Sequence, residues 1–311
     1  MLPHSFRDLP KIRDSLSYLY FEYGRIEQTK TGVEYVNKTG RTVIPIATLT
    51  TLLLGPGTAI THAAIRSLAR AGCLVTWIGE AGVRFYAHGL GETHKAYKLM
   101  AQAELASDPK RRMQVVDRMY RFRFNERLPA NLSIEQVRGH EGRRVRNAYT
   151  EAARTHGVEW TGRQYDRGNW SRADPLNRAL SAANACLNGL CHAAILSAGY
   201  SAGLGFIHQG KQLAFAYDVA DLYKTKLTVP VAFATTAEVN QGRIEPKHLE
   251  REARRRCRQA FRNLKLLARL VPDMDRILDV DSELLPDGFD PDDDPALPTP
   301  WWGPPAGGDG Q

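Results

Sequence analysis

The stretch NRALSAANACLNGLCHAAILSAGY (177–200) repeats apolar residues at spacings of three and four, which predicts a helix. Three upstream segments share this period: KAYKLMAQAELA (95–106), DPKRRMQVVDRMYRFRF (108–124) and SIEQVRGHEGRRVRNAYTEAARTHG (133–157). Ser133, followed three residues later by Gln136, is typical of a capping box at a helix start. A densely basic helix is predicted at 246–271. The chain from 93 to 272 is therefore predicted to be a helical domain.

The sequence before residue 93 has a different pattern. Short β-favouring runs between turn residues predict strands at 18–23, 24–28, 32–36, 42–46, 73–79 and 82–89. One helix is predicted at 61–71, after GPGT (55–58). GPGT is a turn and not a phosphate loop, because neither GKS nor GKT follows it. We predict an α+β protein, with a small N-terminal β-rich domain at 1–92 and a larger all-helical catalytic domain at 93–272.

Charge is distributed unevenly along the chain. The net charge is +8, but 11 of the 34 acidic residues and only one of the 42 basic residues, Arg276, lie in 273–311. Residues 1–272 therefore carry 23 acids and 41 bases, a net +18. A basic body favours a polyanion such as nucleic acid, although basic side chains that merely confer solubility remain an alternative. Segment 273–311 is rich in Pro, Gly and Asp and is predicted to be a disordered acidic tail.

Features of membrane and secreted proteins are lacking in the sequence. The apolar runs fall short of the roughly 20 residues that a span requires, and MLPHSFRDLPKIRD (1–14) has no apolar signal core. The four cysteines contain no CxxC pair, so we expect buried thiols and neither a zinc site nor disulfides. We expect a cytoplasmic protein with no membrane partner.

The segment HQGKQLAFAYDVADLYK (208–224) is the first candidate site. Asp218 and Asp221 are three residues apart, so on a helix both carboxylates share one face and suit Mg²⁺ that also binds phosphate. Asp at a solvated helix start is the alternative. His208 follows GLGFI (203–207), which is expected to be a strand, and an imidazole beside carboxylates also suits Mn²⁺. A purely structural histidine is the alternative for His208.

Two further features point to nucleic-acid chemistry. Glu141 lies among arginines on the helix predicted at 133–157, where an ion-pairing role is the alternative, and spacing alone does not connect it to His208. The polar loop 158–175 is expected to expose Trp160, Tyr165 and Trp170 beside Arg163, a combination that holds unpaired nucleic-acid ends. A basic loop with buried aromatic residues is the alternative.

Seven segments together resemble one protein family, in the right order and over about 16–272. They are FEYGRIE (21–27), LGPGTAITHAAIR (54–66), VTWIGEAGVRFYA (75–87), QVRGHEGRRVR (136–146), GRQYDRGNW (162–170), AAILSAGYSAGLGFIHQGK (193–211) and AFAYDVADLYK (214–224). The family is the CRISPR-associated integrase of spacer acquisition, in its type I-E form. The resemblance implies an N-terminal β domain and a C-terminal helical domain.

The resemblance also implies a metal site and a reaction. Glu141, His208 and Asp221 correspond to the family's ligands for Mg²⁺ or Mn²⁺, and Asp218 to a nearby acidic residue that activity requires. In the implied reaction, the 3′-hydroxyl of a captured DNA fragment attacks a phosphodiester at a repeat boundary of the CRISPR array. Endonuclease activity and disintegration of branched DNA would use the same chemistry. A non-catalytic DNA-binding scaffold and a structure-specific repair nuclease are the competing hypotheses.

The resemblance extends to DNA contacts and partners. It implies that Tyr23 stacks on the end of a fragment duplex that has single-stranded 3′ ends. Phosphates of that duplex would be held by Arg66, Arg84, Arg112 and Arg138. The path of the single-stranded end would be lined by Arg163, Tyr165, Trp170, Lys211, Tyr217 and Lys224. The implied assembly is a homodimer joined by a small ferredoxin-like companion subunit. Ala59 and Asn188 depart from the family, whose members carry Arg and Tyr there.

Overall fold

The computed structural model describes residues 18–30, 32–79, 85–89, 96–129, 131–162 and 174–280. Its strands are β1 Tyr18–Phe21, β2 Gly24–Gln28, β3 Val33–Asn37, β4 Gly40–Ile44, β5 Thr51–Leu54, β6 Thr58–Ile60, β7 Leu74–Ile78 and β8 Phe85–His88. Its helices are α1 His62–Arg70, α2 Tyr97–Ser107, α3 Pro109–Phe124, α4 Ile134–His156, α5 Pro175–Ser197, α6 Ala214–Lys224, α7 Thr228–Asn240, α8 Leu249–Asn263 and α9 Leu266–Leu278. The predicted α+β class, β-rich first and helical after, is confirmed.

The eight strands form two four-stranded sheets. The first has the order β1-β5-β7-β8, in which β5 pairs in parallel with both of its neighbours. The second has the order β4-β3-β2-β6. Helix α1 packs against strands of both sheets, and its Ala64 and Leu68 are buried with Ile26, Leu52 and Leu54 in one core.

Strands β5 and β6 were missing from the prediction. Because β5 lies between two parallel strands and packs in the core, its sequence TLLL is almost continuously apolar and lacks the alternation of a half-exposed strand. Strand β6 has only three residues, too few to establish a period.

Helix α5 lies at the centre of the helical part and packs against α6, α7, α8 and α9. Fourteen of its 23 residues are buried. In the described part of the chain, α5 is the one helix long and apolar enough to cross a membrane, but 67% of its most apolar window is buried inside the protein. Its apolar character is therefore that of a core helix, which agrees with the expectation of no span.

The C-terminal helix differs from its prediction. The single helix expected at 246–271 is a 3-10 turn at Pro246–His248 followed by α8 and α9, with Lys265 between these helices in a left-handed conformation (φ 48°). Helix α9 continues through Pro272 to Leu278, so residues 273–278, assigned to the disordered tail, are helical.

Two acids that are bonded to distant residues explain why that helix continues. Asp273 accepts a hydrogen bond from the Tyr223 hydroxyl at 2.8 Å, and Asp275 pairs with Lys98 at 2.8 Å. Asp273 and Asp275 therefore belong to the helical part, although acidic residues are characteristic of the predicted tail.

Other local predictions had mixed outcomes. The capping box of α4 is confirmed, since Ser133 and Gln136 each bond the other's main-chain N–H. Helix α7 was not predicted. All four cysteines are free, as expected, and Cys186 is only partly buried while Cys73, Cys191 and Cys257 are buried.

Candidate functional site

The loop between α5 and α6 carries His208 on a tightly folded main chain. Residues 203–207, predicted to be a strand, have no regular secondary structure. A Cβ at Gly205 would lie 2.3 Å from the carbonyl oxygen of His208 and 2.8 Å from the carbonyl carbon of Ala214. The loop therefore folds back on itself at a position where only glycine fits.

Asp218, on α6, holds this loop in place. Its Oδ2 accepts the main-chain N–H groups of Phe206 at 2.6 Å and Ile207 at 3.1 Å. Its Oδ1 accepts the main-chain N–H of His208 at 2.9 Å and the ring Nδ1–H at 2.6 Å. Asp218 is 1% exposed, so the alternative of a solvated helix start is wrong.

The contact with Asp218 sets the state of His208. A carboxylate only accepts hydrogen bonds, so Nδ1 carries the proton and the lone pair of the neutral ring lies on Nε2. The hydrogen bond to Asp218, opposed by burial, raises the pKa of His208 above its ordinary value. The ring is 35% exposed. The free Nε2 can therefore meet a ligand that enters from solvent.

Two arginines hold the same loop from its other side. Arg112 Nε, on α3, donates to the carbonyl of Phe206 at 2.7 Å, and Arg138 Nη2, on α4, donates to that of Ile207 at 2.6 Å. In the described structure the buried Arg112 Nη2 has no hydrogen-bond partner. Both residues were predicted to bind phosphate, and each already has one donor committed to the loop.

Glu141, on α4, is close to the acids of α6. It accepts a hydrogen bond from Arg123 Nη1 at 2.7 Å, and the side chains of Arg123 and Glu141 are 5% and 13% exposed. Burial raises the pKa of Glu141, as do the charges of Asp221 and Asp218, while Arg123 opposes the shift. The fold thus places Glu141 within electrostatic range of the two aspartates of α6, which sequence spacing could not show.

Asp221 lies one turn after Asp218 on α6 and pairs with Lys224 at 2.5 Å. Burial acts to raise the pKa of Asp221, but the positive charges of Lys224, Arg123 and His208 prevail and hold it below its ordinary value. Asp221 therefore stays ionised at neutral pH.

Glu141, His208 and Asp221 are the candidate donors for a divalent ion. Within the described ranges, no three His, Cys, Asp or Glu side chains form a ready-made metal cluster. Glu141 and Asp221 are instead neutralised by Arg123 and Lys224. Two carboxylates and an imidazole whose other nitrogen is bonded to a carboxylate are nevertheless a donor set that suits Mg²⁺ or Mn²⁺.

The remaining predicted DNA residues have different environments. Tyr217 is next to the site. The centroid of its ring lies 5.9 Å from the centroid of the His208 ring and 5.9 Å from Lys211 Nζ. Tyr23 is 66% exposed, and Arg66 is exposed on α1. Residues outside the described ranges are Arg84, Arg163, Tyr165 and Trp170.

Trp160 is not exposed as predicted. Its ring lies 4.7 Å from that of Tyr149 and 6.0 Å from that of Phe233, so Trp160 is partly buried and packs against the core.

Sequence reasoning missed Arg123. It is buried on the same face of α3 as Val116, Met119 and Tyr120. The signal was present in MYRFRF (119–124), because a charged residue on the apolar stripe of a helix requires a buried partner.

The chain is similar in sequence and in structure to one family of known proteins. The family described as CRISPR associated protein Cas1 matches residues 122–268. "CRISPR-associated endonuclease Cas1 2" of Thermus thermophilus is 50% identical over 96% of this chain and 90% of the relative. "CRISPR-associated endonuclease Cas1" of Geobacter sulfurreducens is 47% identical over 86% of each. The crystal structure of the TtCas1–DNA complex is similar with a TM-score of 0.70 at 50% identity, covering 87% of this chain and 99% of that one.

Proposed function

Because this chain belongs to the Cas1 family of CRISPR-associated proteins, we propose that it is a cytoplasmic, metal-dependent DNA integrase of CRISPR adaptation. It joins the 3′-hydroxyl ends of captured DNA fragments to phosphodiesters at a repeat boundary of the array. One phosphodiester is exchanged for another, so strand transfer requires no ATP. With water as the nucleophile the same site acts as an endonuclease, and the reverse reaction disintegrates branched DNA.

Glu141, His208 and Asp221 hold Mg²⁺ or Mn²⁺ in this proposal. When bound, such an ion polarises the phosphoryl oxygen and stabilises the leaving 3′-oxygen. Asp218 is not a ligand but a positioning residue, since both of its oxygens are occupied by the His208 loop. By keeping the proton on Nδ1, Asp218 presents the lone pair of Nε2 and orients the ring.

Two basic side chains would compete with the metal ion for its carboxylate ligands. Arg123 and Lys224 neutralise Glu141 and Asp221 in the structure described above. Lys224 is on the surface side of this group and is 22% exposed, so it can turn from Asp221 to a DNA phosphate. Arg123 is buried and remains the inner counter-charge of Glu141.

The DNA path in this proposal begins at the exposed Tyr23, which stacks on the end of the fragment duplex. Arg66, Arg84, Arg112 and Arg138 hold phosphates, each as a point contact that weakens with salt. Past them, the single strand runs along Arg163, Tyr165, Trp170, Lys211, Tyr217 and Lys224 to the metal. The protein acts as a homodimer with a small ferredoxin-like companion subunit.

The double contact of Asp218 with His208 carries the proposal, because it prepares an imidazole for a ligand beside two carboxylates. The test uses purified protein, its companion, Mn²⁺ and a labelled duplex with 3′ overhangs, and measures joining to a plasmid. Glu141→Gln, His208→Ala and Asp221→Asn should each abolish joining, with duplex binding retained. Glu151→Gln is the matched control, since Glu151 is 67% exposed and pairs with Arg154 one turn along the same helix.

Each competing hypothesis has its own outcome in this assay. Normal joining by Asp221→Asn contradicts the ligand assignment. Cleavage of branched DNA without joining by the unaltered protein indicates a repair nuclease. Salt-sensitive binding with no metal-dependent product indicates a scaffold.

A further inference from the structure

A cavity of about 570 Å³ lies between the first sheet and helices α5 and α8. It is distinct from the proposed metal site, since Glu141, His208 and Asp221 do not line it. Its apolar and aromatic wall includes Tyr18, Tyr20, Tyr23, Leu53, Phe261 and Leu267. Such a wall accepts a ring or an aliphatic side chain and leaves room for several residues of an extended peptide.

The lining of the cavity also contains a row of three arginines. Arg251, Arg254 and Arg258 are spaced by three and four residues on α8, so they share one face of the helix and line the cavity. Among the described residues none of these three arginines is paired with a carboxylate. Their neighbours Arg255 and Arg256 do not line the cavity and are paired with acids: Arg255 Nη2 lies 2.6 Å from Glu252, and Arg256 Nη2 lies 2.6 Å from Glu238.

The acidic group of the cavity does not balance this row. Glu22 lines the same cavity and accepts a hydrogen bond from the Tyr20 hydroxyl at 2.5 Å. One carboxylate against three guanidinium groups leaves a positive excess beside an apolar wall. The matching ligand therefore carries several negative charges and at least one large apolar side chain.

The chain itself contains a segment of that chemistry. Residues 281–311 include eight acids and no basic residue, and DGFDPDDD (287–294) places Phe289 among five of them. We propose that this segment of the chain's own C-terminal tail binds in the cavity, with its aspartates on the arginine row and Phe289 against the tyrosines.

The chain after α9 is long enough to reach back to the cavity. Leu267, near the start of α9, lines the cavity, and α9 ends 11 residues later at Leu278, about 17 Å away at 1.5 Å per residue. An extended chain covers about 3.3 Å per residue, so about five residues beyond Val280 suffice. Asp287 is the seventh residue beyond it.

A tethered anion has a functional consequence. Attachment to α9 gives the segment an effective concentration on the order of millimolar, so any other polyanion or acidic protein must displace it from the arginine row. The tail then acts as a built-in competitor that keeps weak anionic ligands off this face of the basic body.

Site-specific photocrosslinking in the full-length chain tests the proposal. The variant Phe289→p-benzoylphenylalanine is irradiated at low salt, and the crosslinked peptides are mapped by mass spectrometry. We expect a product of monomer mass, joined to the cavity walls in 18–23, 185–194 or 251–267. Adding Arg254→Glu and Arg258→Glu should lower its yield by about tenfold, the size expected when two partly exposed ion pairs become repulsive.

The matched control is Arg255→Glu, which changes the charge of the same helix outside the cavity and should leave the yield unchanged. Circular dichroism checks folding, and Arg254→Gln with Arg258→Gln replaces the charge reversal if that variant unfolds. Crosslinks scattered over other surfaces, or a yield indifferent to both arginine changes, overturn the proposal. A product of dimer mass also overturns it, since the occupant is then the tail of a second copy.

Discussion

One oxygen of Asp218 binds His208 twice, through the main-chain N–H at 2.9 Å and through ring Nδ1–H at 2.6 Å. The backbone that carries the imidazole and the imidazole itself are thus fixed by a single buried carboxylate. Position and protonation state of the ring cannot vary independently of each other.

Asp218→Asn should therefore impair His208 without removing it. An amide offers one acceptor oxygen where the carboxylate used two, so at least one buried N–H loses its partner at a cost of about 1 to 3 kcal/mol in the free energy of unfolding. Mn²⁺ affinity, measured by calorimetry, should fall about 10- to 100-fold. The ¹⁵N shifts of the His208 ring should show loss of the single tautomer. Unchanged shifts and affinity would contradict the positioning role, and Glu151→Gln again serves as control.

The buried pair of Arg123 and Glu141 should be costly to break from one side. Arg123→Met leaves Glu141 buried without its cation and should lower the free energy of unfolding by about 3 to 5 kcal/mol in denaturant titrations. The double variant Arg123→Met, Glu141→Gln should recover much of that loss, because neither charge remains. Arg144→Ala, whose partner Glu126 is 43% exposed, should cost less than about 1 kcal/mol. A double variant as unstable as the single one would refute the pairing energetics.

Stability should depend on pH through His192, a buried residue of α5. Burial, followed by the charge of His88, lowers the pKa of His192 to about 4, below the ordinary value of about 6.5. Between these values the unfolded chain binds more protons, so the free energy of unfolding falls as pH decreases from 6.5 to 4. The His192 contribution is roughly 3 kcal/mol. His192→Leu should flatten this slope in urea titrations, and His248→Gln, at an exposed position, should not.

Tyr23 and Tyr86 offer a matched pair for the DNA-end contact. They are 66% and 65% exposed, but only Tyr23 was assigned to DNA. Tyr23→Ala should weaken binding of a short duplex by about tenfold, since stacking on a base contributes about 1 to 3 kcal/mol. Tyr86→Ala should leave binding unchanged in the same fluorescence titration. Equal effects would remove the special role of Tyr23.

The end of the folded part can be tested by truncation. A chain that ends at Val280 keeps every described helix and should unfold cooperatively, as the whole protein does. A chain that ends at Pro272 loses the buried Met274, Ile277 and Leu278, each contributing about 1.5 to 3 kcal/mol, and should not fold. Calorimetry of both chains provides the measurement. If the chain that ends at Pro272 is stable, the folded part ends at residue 272, as predicted from the composition.

Local sequence signals predicted the parts of the fold that depend on local physics. The cap of α4 and the shared helix of Asp218 and Asp221 follow from spacings of three residues. The burial of Asp218 could not be predicted in this way. It depends on three N–H groups from 206–208, which approach only because the chain turns at Gly205.

Long-range partners explain the other misses. Asp273 and Asp275 are acidic, like the residues of the predicted tail. They are helical because their partners, Tyr223 and Lys98, lie on distant elements of the fold. The position of Arg123 on the apolar face of a helix indicated that it has a buried partner. The sequence did not show that this partner is Glu141, because Glu141 lies on the next helix. Composition thus misplaced residues whose neighbours are distant in sequence.

Helix α5 also has a consequence for synthesis in the cell. The four helices that pack on it, α6 to α9, all follow it in the chain, and the last ends about 80 residues after α5 does. At about 5 to 20 residues per second, translation leaves the apolar surface of α5 without those partners for roughly 4 to 16 s. During that interval the nascent chain presents a long apolar helix, and productive folding depends on shielding it until α9 has emerged.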